Sequence, residues 1–433
     1  MENMQIPLTR MAVKRHTSII WWLLAPLFAA IAVLFMENIS TQDHDAFPQE
    51  PLSRKMLNTL RKDAPQPAKT TDNDQSDILQ PITTIELQLP PERFNQIRKI
   101  RILPAQKRNW QYCTFSWNNI SSPKSAKIKI HGWTSLATDR KSFSVKLTHA
   151  IPFSSAVQLK RFFLINMVHD AGQFHGWFSY SLLNELGLFP NYFQYVTVKI
   201  NDQTQGVYLL IERTQDALLR TERELQFVMR RRTDKLFATK YLRSELVDTS
   251  PIDTFIGTYT TATTEEELTQ TADQVLDVDL YLSWLAYNSL VEIPDNLDEL
   301  FFYQTITPEK RPSKLKIAAW DYDLLFSSSG NTKQSEESPL TSSIECGFGH
   351  LVVETPALFA RYKIIIRQLL YDTLSEENIS RTLHDIEDQH LRISAFLPPG
   401  EKKIFLKNSR KHIAHFKIKI LQRRDLLIQL INR

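Results

Sequence analysis

The sequence predicts an α+β protein whose strands come first and whose helices come last. Between Ile82 and Glu212, short runs such as ITTIELQL, KIKI, SFSVKL and YVTVKI alternate apolar with polar residues. That period of two marks strands with one buried face. From Asp277 onward, long stretches carry apolar residues at helical spacing. One interruption stands out there. Two strand-like runs, Phe301–Thr305 and Leu315–Ala319, are joined by a polar, Pro-containing turn and bracketed by acidic residues.

Composition bounds the classes. At 433 residues, with 42% hydrophobic and 23% charged, the chain can bury a large core in two or three domains. A formal net charge of +4 is too small to imply a nucleic-acid partner. The two cysteines, Cys113 and Cys346, are too few for a disulfide scaffold; they either pair once in an oxidising compartment or are two buried thiols.

The N-terminus carries Arg10, Lys14 and Arg15, then Ser18–Met36, nineteen residues without a charge. Such a run spans a bilayer core of ~30 Å. Trp21 and Trp22 lie at the basic end, where indoles prefer the interface, and the basic flank stays in the cytoplasm. A cleaved signal peptide is the rival reading, with Ala30-Ile31-Ala32 as its site. The apolar run continuing to Met36 favours a retained anchor. Residues 37–80 are rich in Asp, Gln, Pro, Thr and Lys and read as a disordered tether. The expected organisation is a cytoplasmic N-terminus (1–17), a transmembrane signal anchor (18–36), the tether (37–80) and an extracytoplasmic folded domain (81–433). That domain divides into a strand-rich part to about 215 and a mainly helical part from about 216.

Within the strand-rich part, Lys127–Ile130 and Ser142–Leu147 read as strands around a loop ending in Arg140 and Lys141. Lys146 projects from the second strand. Lysines so placed either reach phosphates or form a solvated face. Phe162–Met167 ends at His169-Asp170, and a helix is expected over Gln173–Leu186, stopped by Gly187. Tyr195–Ile200 and Gly206–Glu212 form a hairpin around Asn201-Asp202. Glu212, at the close of an apolar strand, is a turn cap or a ligand contact. Arg230-Arg231-Arg232 reads as the solvated face of a helix.

Asp277–Val291 is apolar nearly all round and predicts a buried helix. The central segment follows: Asp295 and Asp298 lie just past Pro294, then the two short strands, then Asp321 and Asp323 flanking Tyr322. A hairpin brings its two ends together, so carboxylates on those end loops converge. The alternative is ordinary turn chemistry, since Asp and Asn beside Pro are common turn residues. Helices are expected over Ala357–Leu370, Glu377–His390 and Gly400–Arg433. The last carries ten Lys or Arg from Lys402 onward against one acid, Asp425. It is either a solvated amphipathic face or a contact for anionic lipid or polymer. No Walker motif, GxGxxG, GxSxG, HExxH or CxxC pair is present.

The order of these elements resembles the spore-coat CotH kinase family of secreted or surface proteins. The likeness runs through KIKIHGWTS and RKSFSVKL, then RFFLINMVHDAGQFHGWFSYSLLNELG, VKINDQTQGVYLLIE, NLDELFFY and AAWDYDLLF. It covers about Ile82 to Phe326. It implies a two-lobed atypical protein-kinase-like fold, a strand-rich N-terminal lobe over a helical C-terminal lobe. It also implies ATP- and Mg-dependent phosphorylation of Ser or Thr on a surface or secreted protein. By the same likeness Asp298 is the base, with Asp295 as alternative, and Asp321 and Asp323 hold magnesium. Lys146, or Lys141, pairs with phosphate, and Glu212 lies near the nucleotide. Where the family has an Asn after the catalytic Asp, this chain has Leu300, Phe301 and Phe302. His131, Trp133 and Ala319 also depart from its pattern. A non-catalytic envelope or coat assembly protein is the alternative reading.

Overall fold

A computed structural model describes residues 83–101, 109–118, 124–132, 134–233, 236–262, 264–293, 298–326, 339–341 and 347–433. The expected anchor at 18–36 and tether at 37–80 lie outside them. Among the described residues no helix is long and apolar enough to cross a membrane.

The first half of the described chain forms a closed barrel. Its strands are β1 (Thr84–Gln88), β2 (Gln111–Trp117), β3 (Lys124–His131), β4 (Ser142–Pro152), β5 (Gln158–Ile165), β6 (Phe193–Ile200) and β7 (Gln203–Glu212). They are ordered β1-β2-β3-β4-β5-β7-β6. Helix α1 (Pro91–Lys99) follows β1, and α2 (His175–Glu185) connects β5 to β6. Neighbours pair antiparallel except at the seam, where β1 runs parallel to β6 with Ile85 opposite Val198. Alternation predicted these strands, and alternation fills the barrel: Phe115, Ile128, Phe143, Val145, Phe162, Val198 and Tyr208 point inward and are fully or almost fully buried. On β7 the opposite parity, Val207, Leu209 and Ile211, packs outward against the helical part. One sheet thus serves two cores.

After α3 (Thr214–Thr221), a second sheet forms. Strands β8 (Leu225–Thr233), β9 (Leu236–Leu242), β10 (Leu300–Thr305) and β11 (Lys316–Ala319) are ordered β11-β10-β8-β9, all antiparallel. Between β9 and β10 come α4 (Ser250–Thr261), α5 (Glu265–Val275) and α6 (Val278–Val291); α7 (Phe348–Glu354), α8 (Pro356–Tyr371), α9 (Glu376–Ser394) and α10 (Pro399–Ile431) end the chain. Helix α6 starts at Asp277, whose side chain accepts from the Leu280 amide, and is buried on every face, as its composition requires.

The expected two-lobed kinase-like architecture is therefore corrected. The strand-rich part is a closed seven-stranded barrel, and a four-stranded sheet stands inside the part expected to be mainly helical. Closure was invisible because the β1–β6 pair joins residues with no local pattern in common. Arg230-Arg231-Arg232 is also corrected: it lies on strand β8, not on a helix. Arg231 turns inward over the Trp284 ring, so the run does not show strand alternation as polarity.

Cys113 is a buried free thiol on β2, pushed up to about 12 by burial and thereby unreactive. Cys346 lies outside the described residues.

Two outcomes follow from the packing. Phe162→Ala removes a fully buried ring inside the barrel and should cost about 3–5 kcal/mol in urea unfolding. His390 is buried against Tyr195 and Phe405, its Nδ1 2.6 Å from Ser409 Oγ, and burial lowers it from 6.5 to about 4. The unfolded state takes up this proton first, so the stability that His390 contributes is complete above pH 6.5 and is lost as pH falls toward 4. A His390→Gln variant should lose about 3 kcal/mol less than the parent between pH 7 and pH 4.

Candidate functional site

The site grows from the hairpin β10–β11. Leu300 pairs with Ala319, and the ladder continues as the Trp320 amide donates to the Glu299 carbonyl at 2.9 Å. Asp298 and Asp321 are the next residues beyond that bond, one at each end of the hairpin. The end loops that carry the two carboxylates are therefore neighbours. Asp321 takes a left-handed backbone at φ 62° and is exposed, the kind of backbone strain that collects at functional sites.

Tyr322 fixes the direction of its neighbours. It is fully buried; its hydroxyl accepts from Trp284 Nε1 at 2.9 Å and donates to Asn288 Oδ1 at 2.6 Å, both on α6. Tyr180 of α2 lies beneath, hydrogen-bonded to the Tyr322 backbone, with burial and the charges of Asp321 and Asp323 holding its hydroxyl well above the ordinary range. Burial, reinforced by the like charges of Asp321 and Asp170, also pushes the Asp323 carboxyl well up. Asp170 itself accepts the amides of Gly172, Gln173, Phe174 and His175 and so caps the start of α2. His175 Nδ1 lies 4.0 Å from Asp170 and 3.4 Å from the Asp323 carbonyl.

Asp298 is held from β8. Arg230 Nε donates to its carbonyl at 2.9 Å, and Arg230 Nη2 lies 3.7 Å from its carboxylate and 2.8 Å from Glu299. Asp295 lies outside the described residues.

Beside β4, β5 and β7, Lys146 and Glu212 line one cleft of about 710 Å³, within the range of a small-molecule site. Glu212 is 2% exposed, paired through both oxygens with Arg220, and accepts the Tyr192 amide at 3.0 Å. Asp216 is likewise held by Arg161. With both carboxylates paired, Lys146 and Lys160 leave the lining positive, suited to an anion. Lys141 lies elsewhere. It is 2% exposed, and its ammonium donates to the carbonyls of Ile100, Leu136 and Thr138, which uses all three protons.

Aromatic contacts join the cleft to the carboxylates. Phe163 packs on Trp320 at 5.2 Å, and Trp320 on Phe301 at 6.4 Å. Phe163 pairs with Ser144, and Arg161 with Lys146. Trp320, next to Asp321, thus rests on the same strand β5 that carries Arg161 opposite Lys146.

With this geometry in place, the sequence profile of the family described as CotH kinase protein matches residues 128–395, more than half of the chain. The chain belongs to the CotH kinase protein family. The match opens in β3 and runs to the end of α9, beyond the stretches that carry the resemblance in sequence. No curated protein matches the chain.

The CotH family name implies a magnesium nucleotide, and the residues fit one. Magnesium takes one or two carboxylates and completes its octahedron with water and phosphate oxygens. Asp321 and Asp323 would supply those carboxylates, and a cation would offset the like charges of Asp321 and Asp170 at Asp323. Among the described residues no three His, Cys, Asp or Glu side chains are placed to hold a metal by themselves.

Several residues of this CotH site were not singled out from sequence for it: Asp170, Tyr180, Arg220 and Arg230. Asp170 precedes a predicted helix by the spacing of a cap, a signal that was legible. Arg230 was hidden by the misread strand. Of the ten C-terminal cations, Lys419, Arg423 and Arg424 turn inward onto backbone carbonyls, while Lys403, Lys407, Arg410, Lys411 and Lys417 are exposed.

The two lysines should separate in experiment. Lys141→Met strands three carbonyls and should cost about 1–3 kcal/mol in urea unfolding. Lys146→Met, on the exposed wall, should change stability by less than about 0.5 kcal/mol.

Proposed function

We propose that this CotH protein transfers the γ-phosphoryl group of ATP to a Ser or Thr hydroxyl of a surface or secreted protein, from a domain anchored outside the cytoplasmic membrane. The observation that carries the reading is the β10–β11 hairpin, which puts Asp298 and Asp321 on adjoining end loops, together with the cleft that Lys146 and Glu212 line on the barrel. In this reading Asp298 accepts the hydroxyl proton as the acceptor oxygen bonds to the γ-phosphorus and the bond to the β-phosphate oxygen breaks, leaving ADP. Arg230 holds the Asp298 loop, its guanidinium 3.7 Å from the carboxylate. Lys146 binds phosphate, and Glu212 with its Arg220 partner forms the base of the nucleotide cleft. Asp321 and Asp323 hold magnesium, which when bound neutralises charge on the phosphates.

A second reading has its own observation. Leu300, Phe301 and Phe302, where the family places a further polar ligand, are buried in β10. That favours a non-catalytic envelope or coat assembly protein that keeps the architecture without the transfer.

Thermal unfolding of the full chain with ATP and Mg²⁺ decides between them. Saturation at 100 times Kd stabilises the fold by ~2.7 kcal/mol. The expected result is stabilisation that needs the metal and is lost in Asp321→Ala. Asp298→Ala should keep that stabilisation while lowering phosphate incorporation by at least about a hundredfold. Absence of any shift at millimolar ATP would make the assembly reading the conclusion.

A further inference from the structure

Beyond the cleft, cations gather on the second sheet beside Asp298. Arg230 and Arg232 lie on one face of β8, Lys240 on the neighbouring strand β9, and Arg213 at the junction of β7 with α3. None of Arg213, Arg232 and Lys240 lines the cleft. Arg230 is neutralised by Glu299 and Asp298, and Arg161 by Asp216. Arg232 and Lys240, in contrast, are exposed and have no ion pair within 4 Å among the described residues, while half-buried Arg213 is attracted to Asp216. Burial and then the charges of Arg230, Arg232 and Arg213 all lower the proton affinity of Lys240, so the three arginines lie close enough to repel it. Strand β9 is moreover an edge of its sheet, with Leu236 and Leu242 exposed. Such an edge accepts an extended chain.

We propose that Arg213, Arg232 and Lys240 bind an acidic, extended segment of the acceptor protein and so deliver its hydroxyl to Asp298. This substrate class rests on the phosphotransfer reading above. The spacing sets the register. Arg230 touches Asp298, and Arg232 follows two residues along β8 in the direction in which β10 runs back toward Asp298. An extended peptide covers that distance in two residues. The acidic side chains therefore stand two to three residues from the acceptor hydroxyl. A nucleotide in the cleft does not compete for these cations, because they lie outside its lining.

The test is binding, measured by fluorescence anisotropy on the full chain at low salt. A labelled peptide with a central Ser and Glu two and three residues away is compared with its Gln counterpart. The Glu peptide should bind about tenfold more tightly. The Arg232→Gln, Lys240→Gln double variant should erase the difference, and the Lys403→Gln, Lys407→Gln double variant, equal in charge change, should keep it. Equal affinity of the two peptides would overturn the proposal, as would a preference that survives the first double variant. Loss of ATP stabilisation in that variant would also overturn it, by assigning the cations to the nucleotide. Charge-dependent peptide binding without phosphate incorporation would retain the docking surface and reject the transfer reaction instead.

Discussion

The segment that bears the candidate carboxylates depends on one closure. The Phe326 amide donates to the Val291 carbonyl at 3.0 Å, so the chain that leaves α6 returns to the point of departure. Helix α10 clamps both sides of that junction. Arg423, 6% exposed, reaches Glu292 at 3.0 Å and the Ser289 carbonyl at 2.9 Å, while Lys419 lies over the Phe326 ring and donates to its carbonyl. Phe416 packs on Phe326 one turn earlier. Spacing of three and four residues puts all three side chains on one helix face. The end of the chain thus holds the middle, and the hairpin carrying Asp298 and Asp321 is oriented from behind rather than from the solvent side.

Two sheets meet around that hairpin with different tasks. The barrel is filled by its own inward side chains and offers a stiff wall, on which Lys146, Arg161 and Phe163 stand at fixed intervals. The four-stranded sheet supplies the carboxylate loops and the arginine that holds one of them. Trp320 joins the two through Phe163 and Phe301. Because it directly precedes Asp321, movement of one sheet against the other would be felt first at the acidic loop. Sites at such junctions gain precision from rigid elements on each side.

Much of this was legible locally. The hairpin, the buried helix before it and the acidic residues flanking Tyr322 follow from alternation, turn composition and an uninterrupted apolar run, all of which act within a few residues. The parts that were not legible depend on distant partners. Lys141 and Lys146 look alike in sequence; only the arrival of Ile100 and Leu136 over Lys141 makes it structural. Arg231 is drawn inward by a tryptophan from another element, which disguised β8. The barrel seam pairs Thr84 with Thr197, and neither residue's surroundings in sequence announce the other.

That seam also shapes how the molecule is made. In synthesis β1 emerges early, yet its parallel partner β6 is more than a hundred residues behind it. Until then β1 keeps one open edge, and the barrel interior, lined by rings from β2, β4 and β5, cannot be sealed. Pairings so distant in sequence make folding slow and leave apolar strands exposed on the way. Such transiently exposed strands are the kind of surface that chaperones cover during assembly. Substitutions at the seam should limit the amount of protein that matures more than the stability of what does.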